Sequence, residues 1–388
     1  MVAPGTIEIL ERLVGFPTVS RDSNLPLIEW IRNYLADVGI DSHLVPNADG
    51  NKSNLFASVG PQEEGGLVLS GHTDVVPVDG QPWTSDPFRL AARDARLHAR
   101  GACDMKGFIA AALSRVPTLK AGKLQRPVHF MFSYDEEIGC LGAPSMIAAA
   151  SRKLPKPAVV IVGEPTGMAV ANTHKGICAG RTRVTGIEAH SALTHQGVSA
   201  VMLAAELIHH LNEAAAKLSR APVTPQTRRF VPPFSTVTAN MIQGGTASNI
   251  MAGACEFAWD IRALPGESAR AVLDSLNALS AALLARLESE GRHCSIRSDV
   301  LADVPPLIAD GGIAEQLARA VLSVTGESIT VPFATEGGQF QGAGWSTVVC
   351  GPGSIEQAHR ADEYVEREQL AACESFLDRV IARQCMAG

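Results

Sequence analysis

Four short apolar runs, each followed by a histidine or an acid, constrain this chain more than any other feature. Gly66-Leu-Val-Leu-Ser70 leads into Gly71-His72-Thr73-Asp74, and Val128-His-Phe-Met-Phe132 leads into Asp135-Glu136-Glu137. Val159-Val-Ile-Val162 runs into Gly163-Glu164-Pro165-Thr166, and Thr347-Val-Val-Cys350 into Gly351-Pro-Gly-Ser and then His359. Continuous Val- and Ile-rich runs are the signature of strands buried on both faces of a parallel sheet. In such sheets ligands gather beyond the carboxyl ends of the strands. His, Glu-Glu, Glu and His are therefore expected at one edge of one sheet. That is the donor set of a metal site, with ligands enough for two ions.

The spacing of elements supports an α/β fold. A helical pattern runs from Thr6 to about Val38. Strands and helices then alternate: 53–58, 66–71, a helix from about Lys106 to Leu119, 127–133, a helix from about Ala143, and 158–163. This is the βαβ order of a mostly parallel sheet covered by helices. The pattern changes near residue 177. A strand over 177–186, a helix over 198–218, strands at 235–243 and 254–262, a helix over 267–290 and a strand at 294–300 describe a ferredoxin-like α+β unit with a four-stranded sheet. The βαβ style resumes with a helix at 312–324 and a strand at 346–350. The expected organisation is one α/β domain in two parts, 1–176 and 303–388, interrupted by an inserted domain at 177–302.

Length and composition narrow the function. The 388 residues leave room for two or three domains. A net charge of −7 argues against nucleic acid or an anionic membrane as partner. No apolar stretch reaches the ~18–20 residues of a membrane span. Met1-Val-Ala-Pro-Gly leads directly into an amphipathic helix rather than a signal peptide. Eight scattered cysteines without a Cys-x-x-Cys pair read as reduced thiols, so a cytosolic protein is expected.

Each ligand alone has a bland alternative. His72 and Asp74 could shape a turn, Glu136-Glu137 could be a solvated loop, Asp104 could cap the helix that starts near Lys106, and His359 could follow a surface turn. Convergence of several strand ends, each with neighbouring glycines, favours the metal site. Imidazole and carboxylate suit zinc, and one carboxylate can bridge two cations. Hydrolysis at such a centre also needs a proton shuttle, and a carboxylate beside a ligand but not itself coordinated fits the task. Glu136, adjacent to Glu137, is the candidate.

Gly71-His-Thr-Asp-Val-Val-Pro77, Arg100-Gly-Ala-Cys-Asp-Met-Lys-Gly107, Asp135-Glu-Glu-Ile-Gly139 and Gly163-Glu-Pro-Thr166 resemble the co-catalytic zinc family of acetylornithine deacetylase, succinyl-diaminopimelate desuccinylase, aminoacylases and glutamate-releasing carboxypeptidases. The resemblance covers essentially the whole chain. It implies that His72 and Glu164 hold one zinc, that Glu137 and His359 hold the other, that Asp104 bridges both, and that the Asp104–Met105 peptide is cis. It makes Asp74 the residue that orients His72 and Glu136 the general base and acid. It also implies two zinc ions, replaceable by cobalt or manganese, and a homodimer whose inserted domain serves as lid and dimerisation domain.

Within that domain, Gly186-Ile-Glu-Ala-His190-Ser191 is similar to the lid motif whose histidine polarises the scissile carbonyl in the partner subunit's site. A helix-capping segment is its plainer reading. Ser248-Asn249 and Asp260-Ile-Arg262 are similar to the positions that bind a substrate α-carboxylate. For Arg262 a salt bridge with a neighbouring acid is the alternative.

Ala334-Thr-Glu336-Gly-Gly-Gln339-Phe is similar to the deacetylase branch, where desuccinylases carry arginine at the position of Gln339. Glu336 offers an acidic partner for an ammonium side chain, or braces the Gly337-Gly338 turn. The implied activity is hydrolysis of N2-acetyl-L-ornithine, a small N-acyl amino acid, for arginine synthesis. An aminoacylase or carboxypeptidase of the family is the enzymatic alternative, and a catalytically dead metal-binding paralogue the alternative of another class.

Overall fold

The computed structural model describes residues 4–386. Residues 1–3, part of the segment Met1–Gly5 expected not to form a signal peptide, lie outside the described residues. The chain forms two compact units. One comprises the chain up to Thr173, Leu307–Val331 and the chain from Thr335 onward; the other comprises His174–Pro306 with Pro332–Ala334. The sequence placed the junctions after 176 and after 302.

The first unit is built on an eight-stranded sheet in the order Ser42–Pro46, Ser53–Val59, Val128–Ser133, Leu67–His72, Val159–Pro165, Thr347–Gly351, Ala171–His174 and Ile329–Val331. The four central strands are mutually parallel, as the βαβ alternation requires. Pairing turns antiparallel between Ser42–Pro46 and Ser53–Val59, between Ser53–Val59 and Val128–Ser133, and between Thr347–Gly351 and Ala171–His174. Every residue of the four central strands is buried. Their unbroken apolar runs follow from having helices on both faces.

Two expected helices are split. The pattern from Thr6 to Val38 forms Thr6–Val14 and Leu25–Asp37, because Gly15 caps the first and Pro17 cannot extend it. The predicted 106–119 helix divides into Lys106–Ser114 and Val116–Ala121, with Pro117 at the start of the second. Periodicity is blind to both breaks, since the apolar spacing carries across them.

The second unit has an antiparallel four-stranded sheet ordered Thr236–Gly244, Ala254–Ala263, Gly176–Thr185, Ser295–Val304. With helices Ala200–Ser219 and Ala269–Ser289 this is the ferredoxin-like order. Both helices open on a serine whose hydroxyl accepts a main-chain N–H: Ser199 from Met202 and Ser268 from Ala271. Alternate residues of Gly176–Thr185 and Ala254–Ala263 are buried under the helices, which produces the period-two pattern. Among the described residues no helix is long and apolar enough to cross a membrane.

Candidate metal centre

The carboxyl ends of the parallel strands gather seven of the predicted residues. His72 ends its strand, Glu164 lies at the end of Val159–Pro165, and Asp135-Glu136-Glu137 follows Val128–Ser133. Asp104 precedes the Lys106–Ser114 helix, and its peptide to Met105 is cis. Nε2 of His72 lies 3.0 Å from Asp104 Oδ1 and 3.9 Å from Glu164 Oε1. Nε2 of His359 lies 3.0 Å from Glu137 Oε2 and 3.3 Å from Asp104 Oδ2. The two oxygens of Asp104 thus face two histidines, one each. Donor atoms of His72, Asp104 and Glu137 fall within 4.8 Å of one another, as do those of His72, Glu136 and Glu164.

These donors fit divalent cations on their own chemistry. Glu164 Oε1 is buried without a hydrogen-bond partner among the described residues, an orphan that a cation would satisfy. Nδ1 of His72 donates to the Asp74 carbonyl at 2.9 Å, which turns Nε2 towards Asp104 and Glu164. The orienting contact runs through the Asp74 main chain, its carboxylate being 3.7 Å from the ring. That carboxylate accepts instead from Ser20 Oγ at 2.7 Å and from the N–H groups of Glu136 and Glu137 at 3.1 and 3.3 Å. Asp74 therefore grips the turn that carries both glutamates.

The turn needs gripping, because Asp135 is left-handed with φ 56°. Its side chain meets Lys52 Nζ at 2.5 Å in a largely buried ion pair. Glycine serves a different purpose beside Glu164. A Cβ on Gly163 would stand 1.9 Å from Phe108, so only glycine admits the helix Lys106–Ser114 this close to the strand.

Crowding of acids sets the electrostatics. Burial pushes Glu136 up to about 8 and Glu137 up to about 7, with neighbouring carboxylates adding to both shifts. Glu164 is raised by the same causes. Burial also pushes on Asp104, but its hydrogen bonds with His359 and His72 win and hold it below the ordinary carboxylate value. Those bonds, with the one to Glu137, raise His359 to about 10. So many buried carboxylates gathered round two imidazoles are what a metal centre looks like from the protein's side.

Glu136 has a contact its neighbours lack: Cys140 Sγ donates to its Oε1 at 3.2 Å. Glu336 is 1% exposed, and its Oε2 accepts from Ser70 Oγ at 3.3 Å while Oε1 has no hydrogen-bond partner among the described residues. Burial moves it up to about 7. Gln339 donates to the Cys140 carbonyl at 3.0 Å.

In the second unit, His190 is exposed and its Nδ1 accepts from Ala192 N at 3.1 Å. Ser191 N donates to the Asn249 carbonyl at 2.9 Å, which sets His190 beside Asn249, also exposed. Arg262 Nε meets Asp260 Oδ1 at 2.8 Å, the neighbouring acid its plainer reading named.

Sequence reasoning passed over Ser20, Lys52, Arg100 and Glu363. Ser20 and Lys52 reach their partners across 54 and 83 positions, so no local pattern marks them. Arg100 opens a quoted motif, and a charge set among alanine and glycine was the available signal there; Glu363, four positions past His359, carried none. All eight cysteines are free.

A dinuclear-type donor cluster at the carboxyl edge of a parallel sheet, with a ferredoxin-like insertion, defines a class of metal-dependent hydrolases. Residues 68–383 match peptidase family M20/M25/M40, and the chain belongs to that family. It is 36% identical to the acetylornithine deacetylase of Myxococcus xanthus, the alignment covering 98% of each chain. It is 33% identical to the acetylornithine deacetylase of Proteus mirabilis, over 99% of this chain and 98% of that one. Among solved structures, an M20 family metallo-carboxypeptidase from Sulfolobus solfataricus superposes with a TM-score of 0.77 at 17% identity, covering 97% of this chain and 98% of that one. Human carnosine dipeptidase 1 superposes with a TM-score of 0.73 at 16% identity, covering 98% and 96%. These last two share the fold.

Proposed function

We propose that the protein is a dinuclear zinc amidohydrolase that cleaves N2-acetyl-L-ornithine to L-ornithine and acetate, a step of arginine biosynthesis. The observation that carries the reading is the arrangement of two histidines and two glutamates around the two oxygens of Asp104, with Glu136 alongside. Full-length relatives at 33–36% identity that bear the name acetylornithine deacetylase support the substrate.

His72, Asp104 and Glu164 would hold one cation, and Asp104, Glu137 and His359 the other. Zinc fits the mixed imidazole and carboxylate set, with cobalt or manganese as substitutes. Cations held there supply electrophilic polarisation of the acyl carbonyl and bring the ionisation of water into the neutral range. Glu136 takes the proton of the attacking water and delivers it to the leaving α-nitrogen of ornithine, while Asp74 keeps its backbone in place. Arg262 and Asn249 bind the α-carboxylate. Because Asp260 occupies Nε of Arg262, the two terminal nitrogens are those that meet it. The unpartnered oxygen of Glu336 supports its assignment to the δ-ammonium.

The inserted unit is assigned as lid and dimerisation domain, with His190 serving the partner subunit's site. Its edge strand Thr236–Gly244 supports a homodimer, since Met241 and Ile242 are 68% and 57% exposed there. Eight free thiols support a cytosolic setting.

The test is kcat/KM on N-acetylornithine, N-acetylmethionine and succinyl-diaminopimelate, for the wild type and Glu336→Gln. A charge-assisted contact worth roughly 1.5–3 kcal/mol predicts a preference of about ten- to a hundredfold for acetylornithine over acetylmethionine, lost in the variant. Equal losses on all three substrates would leave Glu336 a structural residue. No turnover of any of them by zinc-loaded protein would overturn the function.

A further inference from the structure

Glu363 belongs to no proposed ligand set, yet it touches the turn that carries the shared carboxylate. It is 1% exposed. Its Oε1 accepts from the N–H groups of Cys103 and Asp104 at 2.9 and 3.1 Å, and its Oε2 from Arg100 Nη1 at 2.8 Å. Its own carbonyl accepts from Ala99 N at 3.1 Å. Arg100 is as buried as its partner, and is fixed in turn. It donates to the carbonyls of Arg360 and Pro77, each at 3.3 Å, and to Gln81, and its guanidinium lies 5.0 Å from the centre of the Trp83 ring.

The pair therefore ties the segment ending in Asp104 to the segment running from His359. Those two side chains meet at 3.3 Å, and His359 sits in a left-handed conformation with φ 61°. A buried ion pair is weak evidence for stability, since a well-packed apolar pair often replaces one without loss. What an apolar pair cannot replace is the acceptor for two main-chain N–H groups of a ligand-bearing turn.

We propose that Glu363, held by Arg100, is a positioning residue of the metal centre: it sets the Asp104 carboxylate against His359 and thereby the spacing of the two cations that share it. This rests on the dinuclear reading above.

The experiment compares wild type, Glu363→Gln and the double variant Arg100→Met/Glu363→Met. Zinc stoichiometry and affinity are measured by equilibrium dialysis against a chelator buffer, alongside kcat, KM and Tm. Glu363→Gln keeps one acceptor oxygen. The double variant keeps none but leaves no charge stranded.

The expected result is that both variants fold and that the weaker zinc equivalent loses about 10–100-fold in affinity in the double variant, the range for residues that orient ligands. The loss should be smaller in Glu363→Gln, with kcat falling in step and KM little changed. A folded double variant that binds two equivalents with wild-type affinity would make the pair a fold stabiliser and overturn the proposal. Wild-type protein that binds fewer than two equivalents overturns the dinuclear reading, and the proposal falls with it.

Discussion

At the scale of single residues, Glu136 and Asp104 should fail in different ways. Glu136, the proposed proton shuttle, is contacted by Cys140, whereas Asp104 faces both histidines. Glu136→Gln is expected to retain both metal equivalents and lose at least ~10²-fold in kcat, within the general-base range. Asp104→Ala should lose metal and activity together, which elemental analysis beside kinetics will separate. Retained turnover in Glu136→Gln would remove it as the proton shuttle.

The raised acids make a second residue-scale prediction. Glu136 and Glu137 move from 4.5 to about 8 and about 7, and His359 from 6.5 to about 10. Each binds its proton more tightly folded than unfolded, so metal-free protein loses stability as pH rises from 4.5 through 8 for the acids, and from 6.5 through 10 for the histidine. Asp104 acts oppositely, but its window lies below 3.8. Metal-free protein should therefore melt at a higher temperature at pH 6 than at pH 8, and added zinc should raise Tm more at pH 8. Calorimetry on chelator-treated protein checks both signs.

At the scale of elements, the site depends on how closely a helix approaches a strand. Gly163→Ala would drive a methyl group into Phe108, at 1.9 Å, one residue before Glu164. The expected cost is about 1–3 kcal/mol, the range for overpacked cores, with metal affinity falling as the strand end shifts. Denaturant unfolding with and without zinc measures it. A contrasting change lies in the second unit, where Ser199→Ala removes the cap of Ala200–Ser219. It should cost ~1 kcal/mol and leave zinc binding intact. Equal effects of the two substitutions on metal affinity would contradict the local account of the site.

At the scale of the whole molecule, the proposed homodimer makes activity depend on two chains. Met241→Lys with Ile242→Lys would place charge on the exposed edge strand. Sedimentation is expected to show a monomer, with activity reduced while the metal content is retained, because His190 would no longer reach a partner. A second check mixes inactive His190→Ala with inactive Glu136→Gln. Recovery of activity after subunit exchange supports sharing, and no recovery despite proven exchange counts against it.

The sequence by itself determined the four central strands, the edge at which they deliver their acids and histidines, and the four-stranded second unit. Those features are written in the local sequence: unbroken Val and Ile runs where both faces are covered, alternation where one is, and glycines beside His72 and Glu164. Tertiary structure alone decided the rest. Periodicity does not register Pro17 or Pro117, so two helices became four. The antiparallel margins of the large sheet depend on which strand ends meet across the fold. The pairs Ser20–Asp74, Lys52–Asp135 and Arg100–Glu363 join positions 54, 83 and 263 apart. A ligand can be read from the strand that carries it, but the residues that hold it in place are chosen by contacts only folding brings about.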